Sequence, residues 1–429
     1  MDRPLVYPEK MENSPFSVGN VRRFVAFRVL FNSRFYYPVF TILFLDFGLT
    51  LSQFALLNVA WAVSIVVLEV PSGALADIMG RRNLLVLAAS LMVVEMAILC
   101  VVPLGRVLDW QIRFQSLGFM LAMTLGAAVY DPALVGAVAG WLGYQGDVTQ
   151  EQTLRLPLYL TLGTALLTLY TTLRMEQEPR GEDDGDGAAR GPWATAGRAF
   201  RLTLEAGTWI VRTPLALSVI LFGVLLDHVI RMVITLTSQY YRVIELPEAS
   251  FGLIGSALAA MGLVAPRAAL HMARRLSPAA NAAILGGLTL AGLWGLGLAV
   301  PWWGLAPMAL LMAAMHGQHF FVSHYLNAVT ASRRRATVLS FKGLSYNLAY
   351  GAVGLLYSLL LALLRGRIGP QDVADAARDV QDAVFVDSLA WFPPYFLLLF
   401  VAAWLYARHR LRGRSEHLRP GGPAHGEDA

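Results

Sequence analysis

Cysteine is almost missing from this chain: Cys100 stands alone. A disulfide framework and a cysteine-based metal site are both excluded by that count. Charge is scarce as well. Only 15% of the residues are Asp, Glu, Lys or Arg, where an ordinary soluble domain carries about 25%. No Gly-Lys-Ser loop of the nucleotide-binding kind occurs, which removes ATP as a driver. No loop gathers a compact His/Asp/Glu/Ser set, as a membrane-embedded enzyme would need. The apolar runs are continuous rather than alternating in polarity, which argues against a membrane β-barrel.

What fills the chain is apolar sequence. Of 429 residues, 56% are hydrophobic. They fall in repeated runs of 18 or more residues bounded by Arg-rich turns, the pattern of transmembrane helices. The first run carries Arg28 and Arg34 and lacks a signal-peptide cleavage site, so it reads as the first span. Spans are expected at about 24–47, 52–72, 83–104, 113–131 and 155–174, then at about 213–240, 250–270, 279–300, 304–327, 337–364 and 388–407. A shorter piece covers about 132–144. Its 14 or so apolar residues rise only about 21 Å as a helix, short of the roughly 30 Å hydrocarbon core. Parity of the crossings leaves two options, a tight hairpin of 113–131 and 132–144 with a truncated fifth helix or a re-entrant pair; Asp131-Pro132, which can break a helix at the inner surface, favours the first.

The chain therefore divides into a tail (1–20), a helical bundle (21–174), a polar linker (175–212), a second bundle (213–408) and a second tail (409–429). The linker holds the acidic run Glu182 to Asp186, then a stretch from Trp193 to Val211 that reads as a surface helix. Between the last two spans, Val373, Val380 and Val384 share one face of a short amphipathic helix. Arginine collects at 22–23, 81–82, 274–275, 333–335 and 408–414. With alternating helices these fall on one side, so both termini are expected in the cytoplasm of a bacterium with the protein in its inner membrane. The net charge of +5 orients helices here and does not point to nucleic acid.

The halves look like repeats. Aligning Phe54 with Phe251 places Arg34 opposite Arg231. Parallel repeats of this kind surround a midplane site in alternating-access carriers.

Between the second and third spans lies Gly73-Ala-Leu-Ala-Asp-Ile-Met-Gly-Arg-Arg82. Gly73 and Gly80 permit close backbone approach, Asp77 suits a nearby helix N-terminus, and Arg81 and Arg82 sit against an anionic leaflet. With these residues the chain resembles the major facilitator superfamily over about residues 21–408. The stretch from Asn327 to Ser340 adds to the likeness. The resemblance implies an all-α fold of two pseudo-symmetric six-helix bundles, about 12 spans with an irregular fifth. It also implies that Gly73, Asp77, Gly80, Arg81 and Arg82 latch the halves on the cytoplasmic side. Ile78 replaces the family's usual basic residue. The matching loop of the second half, Pro266 to Arg275, lacks the Gly and the Asp.

Ionisable residues inside spans are costly and mark pathways or pairs. Arg34 and Arg231 are candidates for a symmetric anion clamp, because guanidinium suits carboxylate or phosphate. The competing reading pairs Asp227 with Arg231 one turn away, and Arg34 with Glu69 or Glu95. His316, His319, Tyr346 and Asn347 complete the expected substrate site, with Gln318, Lys342 and Tyr350 at neighbouring positions. Asp227, His228 and Glu95 are the expected proton-coupling groups. No cofactor or metal is expected. The expected activity is secondary transport by a monomer, moving a small anionic solute with H+ as the coupling ion. Efflux of drug-like molecules is the rival, and a degraded non-transporting sensor is the reading favoured if the shortened segment 129–146 abolishes transport.

Overall fold

The computed structural model describes residues 19–79, 81–101, 125–142, 144, 146–176, 192–330, 335–368 and 374–411. Residues 1–18 and 412–429 of the two tails, the acidic run of the linker and residues 102–124 lie outside that set. Among the described residues all regular structure is helical. Seven of these helices are long and apolar enough to cross a membrane.

The first half comprises α1 (Gly19–Phe31), α2 (Phe40–Asp46), α3 (Leu51–Met79), α4 (Arg81–Val101), α5 (Pro132–Trp141), α6 (Gln150–Thr153) and α7 (Leu156–Leu173). Helix α8 (Pro192–Arg212) follows the linker. The second half comprises α9 (Pro214–Thr235), α10 (Thr237–Val243), α11 (Ser250–Arg275), α12 (Pro278–Gly297), α13 (Leu305–Val329), α14 (Arg335–Ile368), α15 (Ala374–Leu389) and α16 (Phe392–Leu411). Proline opens α5, α9 and α12 at the first turn, where its missing N–H costs nothing. Large apolar side chains such as Leu355, Leu359 and Leu363 stay exposed on α14. A stripe of that kind has lipid as its solvent.

The first span is interrupted. Residues 32–36 leave the helix between α1 and the short turn Tyr37–Val39 that leads into α2. Breaking a helix inside a membrane frees backbone groups, which must then find partners. Here α7 supplies two: the Phe35 N–H donates to Thr161 Oγ1 at 3.0 Å, and Thr164 Oγ1 donates to the Ser33 carbonyl at 3.1 Å. The seventh span is interrupted too, at Leu236, which separates α9 from α10.

Helix ends define two faces. Asn20 and Arg23 bond Glu176, and Arg82 donates to the Leu173 carbonyl at 3.0 Å. These residues therefore share one face with α8, whose Gly207 lies against Phe341 at the start of α14. The linker stretch expected to be a surface helix is helical in α8, with Ile210 fully buried against the second half. The amphipathic helix expected between the last spans is α15, with Val380 and Val384 turned to the core. Val373 lies outside the described residues.

Within the signature stretch, residues 73–79 continue α3 and residue 81 begins α4; Gly80 lies outside the described residues. In the second half, α11 runs unbroken past Pro266 to Arg275. Ser277 then caps α12 by accepting from the Ala280 N–H.

One expectation is corrected. Asp131 does not mark the inner surface. Residues 125–130 are helical, Gly126 packs on the Phe35 carbonyl, and Tyr130 donates to Asp46 Oδ2 at 2.6 Å. Asp46 ends the first span, so this helix runs toward the face opposite Arg82. Asp131 accepts there from the N–H groups of Ala133 and Leu134, capping α5, and from Ala249 of the second half at 3.2 Å. The local signal, an Asp-Pro helix start, was sound; it carries no information about which face it occupies. Helix α5 is ten residues long and buries none of its side chains.

Candidate functional site

Helix α9 presents Asp227 and Arg231 one turn apart, and the two form a buried ion pair. Asp227 is 1% exposed and Arg231 7%. Arg231 Nη1 also donates to Asn347 Oδ1 on α14 at 3.0 Å, and its guanidinium lies 5.0 Å from the centre of the Tyr350 ring. His319 of α13 brings Nε2 to 3.7 Å from the second Asp227 oxygen. The His319 side chain is about half exposed, at 47%, so it marks the open side of the site.

Helix α14 supplies a ladder at positions 342, 346 and 350, four residues apart and on one face. Lys342 places Nζ 5.1 Å from the centre of the Tyr346 ring, within the field of Asp227 and Arg231. With Lys10 it makes up all the lysine of this Arg-rich chain. Gln318 donates through Nε2 to the Tyr346 hydroxyl at 2.8 Å and to the Gly223 carbonyl at 3.2 Å. Any side chain at 223 would overlap that hydroxyl; here the glycine serves close approach. Tyr350 reaches the other half: its hydroxyl donates to Asn58 Oδ1 at 3.3 Å, and its ring meets Trp61 edge-on at 5.8 Å.

Among the described residues the cluster holds two cations, Arg231 and Lys342, and one carboxylate, Asp227. A buried carboxylate between them offsets one charge. The remaining positive charge faces a site bordered by His319, where an anion would lower the energy of the whole set.

Of the residues expected to bind substrate, the structure thus brings together Arg231, His319, Tyr346 and Asn347, with Asp227 from the proton-coupling group. Arg34 sits elsewhere, in the break of the first span. It is 3% exposed, donates to Glu95 Oε2 at 3.2 Å and lies 5.4 Å from the Phe31 ring centre. The sequence left Glu69 and Glu95 open as partners; Glu95 is in contact, and the Glu69 side chain lies outside the described set. His228 points away from Arg231. Its Nδ1 bonds the Val224 carbonyl at 2.7 Å, which in the neutral ring leaves Nε2 to accept from Tyr395 of α16 at 3.0 Å. His316 faces α11, against Gly262 and the Leu258 backbone.

Sequence reasoning missed a second constellation at the face away from Arg82. Arg242 grips Asp46 bidentately at 3.0 and 2.9 Å and bonds Glu248 at 2.6 Å. Burial works against the Arg242 charge, but Asp46 and Glu248 outweigh it and raise its pKa. Burial likewise pushes the Glu248 carboxyl above its ordinary range, with Arg242 pulling the other way. Asp46 and Arg242 end corresponding spans, and that equivalence was the available signal. The halves meet again below this network, where Ser52 and Ser358 hydroxyls lie 2.8 Å apart and Gly354 packs on Val59.

The fold matches that of known carriers over most of the chain. The bacterial homolog of the human lysosomal transporter Spinster, in an inward-facing and occupied conformation, is 13% identical, with 93% of this chain and 98% of that one covered and a TM-score of 0.59. The nucleoside transporter NupG is 10% identical, with 90% and 98% covered and a TM-score of 0.63. The xylose transporter XylE from E. coli, partially occluded and inward open, is 15% identical, with 90% and 98% covered and a TM-score of 0.53. A family model described as transmembrane secretion effector, of the major-facilitator group, matches residues 43–154. The fold is the major-facilitator fold. No curated protein matches the chain. The family match spans the signature turn at 73–82. The match and the fold are those of multi-pass membrane proteins.

Proposed function

We propose that the chain moves a small organic anion across the cytoplasmic membrane by alternating access, coupled to protons. The observation that carries this reading is the buried Asp227–Arg231 pair flanked by Lys342 and His319. Arg231 binds either Asp227 or the anionic group of the solute, since one guanidinium fork satisfies one carboxylate at a time. Protonation of Asp227 frees the fork, so solute and proton enter the site together. His319 relays the proton at the open side, Tyr346 and Asn347 orient the solute, and Lys342 supplies the second positive charge. Arg34 with Glu95 holds the broken first span in its working shape and completes the field from the other half.

Asp46–Arg242 closes one face, while the signature residues Gly73, Asp77, Gly80, Arg81 and Arg82 latch the other when the halves rock. The Arg-rich face is cytoplasmic under the positive-inside rule, with both termini on that side. The protein works as a monomer, with the lipid bilayer, the solute and H+ as its partners. The description of the matched family favours export.

Reconstituted vesicles test this. Benzoate, succinate and an uncharged drug-like dye are offered under an imposed pH gradient. Gradient-driven movement of either carboxylate supports the reading. Movement of the dye alone identifies a drug-efflux carrier, and movement of none identifies a non-transporting relative.

A further inference from the structure

A second cavity lies inside the C-terminal half, apart from the Arg231 cluster. It measures about 730 Å³ and sits between α9, α12, α13 and the end of α16. That volume is within the roughly 300–1,000 Å³ of small-molecule sites. Its body is apolar, with Leu215, Val219, Phe222, Leu285, Phe321 and Trp404 among its walls. Among the described residues, no acidic side chain lines it. At its mouth stand Arg408 and Leu411 of α16 beside Ser277 and Pro278, on the Arg-rich face.

Two polar groups in the wall need an explanation. Gln318 and Asn281 are each 1% exposed. Gln318 spends its nitrogen on Gly223 and Tyr346, which fixes Oε1 as an acceptor, and that oxygen has no partner among the described residues. Asn281 bonds the Tyr325 hydroxyl at 2.7 Å and leaves its other polar atom unpartnered as well. Buried polar groups are almost always bonded, and an orphan is costly. Asn281 lies one turn above Ser277, near the mouth, where a ligand's hydroxyl can reach it after a small side-chain shift.

We infer that this cavity seats one acyl chain of an anionic phospholipid of the Arg-side leaflet, with the lipid phosphate on Arg408 and a head-group hydroxyl bonded to Asn281. A basic residue over an apolar slot between spans is the arrangement that recognises such a lipid. A zwitterionic lipid would fill the slot but offer no net charge to Arg408. The bound chain also buttresses Gly223 and Gln318, which separate the slot from Tyr346. Lipid occupancy thereby stiffens the wall of the proposed solute site, although its binding does not depend on that reading.

The test is quenching of Trp404 by phosphatidylglycerol brominated on its acyl chains, added to the purified full chain in neutral detergent. Saturable quenching that Trp404→Phe abolishes is expected, with brominated phosphatidylcholine at least tenfold weaker. Arg408→Gln should weaken the phosphatidylglycerol effect about tenfold, while Arg410→Gln, outside the slot, leaves it unchanged. Ala282→Phe should fill the slot and remove quenching while the protein stays monodisperse. Equal quenching by both lipids, equal losses from the two arginine variants, or full quenching in a folded Ala282→Phe protein would each overturn the assignment. Should Ala282→Phe fail to fold, Ser218→Leu narrows the same slot from α9.

Discussion

The Thr41 backbone N–H donates to Ser238 Oγ at 2.9 Å across the boundary between the two halves. These residues are 197 positions apart, the same offset that aligns Phe54 with Phe251 and Arg34 with Arg231. Residues related by a two-fold axis touch one another only where they lie on that axis. Thr41 and Ser238 therefore mark the pseudo-symmetry axis. The Thr41 hydroxyl also donates to the Thr235 carbonyl, beside the break between α9 and α10.

Closure of the face away from Arg82 depends on Arg242. Replacing it by Gln leaves Asp46 and Glu248 facing each other without the cation. Removing one partner of a buried charge pair costs about 3–5 kcal/mol. With spin labels at Gln53→Cys and Pro247→Cys, the wild type should give one short distance. Arg242→Gln should shift most of the population to a longer one; an unchanged distribution would show that Arg242 does not hold this face shut.

The same closure depends on pH through Glu248. Its carboxyl is raised above the ordinary value of 4.5, chiefly by burial. A group that binds its proton more tightly in the closed form favours closure below its ordinary value. That contribution is lost as the pH rises through the raised value. The closed fraction should fall over that interval in the wild type. Glu248→Gln, neutral throughout, should flatten the profile, and a profile unchanged by it would assign the titration elsewhere.

Arg34 and Glu95 test how a buried pair supports the broken first span. Arg34→Leu or Glu95→Leu alone should lower the thermal midpoint sharply, by about 3–5 kcal/mol of stability. The double variant should recover part of that loss, since removing both ends of the bond leaves neither facing a lost partner. Additive losses would mean that the two residues do not act as a pair.

Gly126 packs on the Phe35 carbonyl, where an added Cβ would overlap backbone. Gly126→Ala should destabilise by about 1–3 kcal/mol. The measurement is a lowered midpoint in a thermal unfolding assay of the purified protein. An unaltered midpoint would mean that this helix does not rest against the break.

Much of this architecture was legible in the residues. Apolar runs placed the seven described helices that are long enough to cross a membrane, periodic valines placed α15, and the four-residue interval between Asp227 and Arg231 placed their pair. Other features have no local signature. The break at residues 32–36 is held by Thr161 and Thr164, whose hydroxyls come from a helix more than a hundred positions away. The direction of His228 depends on how α9 is rotated against Tyr395, which composition does not encode. The face occupied by Asp131 is set by its contact with Ala249 across the two halves. Asp46 and Arg242 meet only because both halves end their first spans at the same depth.

Asp227 carries the central claim, and proton movement tests it most directly. Vesicles containing the wild type and a trapped pH dye receive benzoate or succinate with no imposed gradient. One of these anions should drive a pH change that Asp227→Asn abolishes, while exchange of the labelled anion continues in the variant. A pH change that persists in Asp227→Asn, or anion exchange in the wild type with no proton movement, would contradict the account.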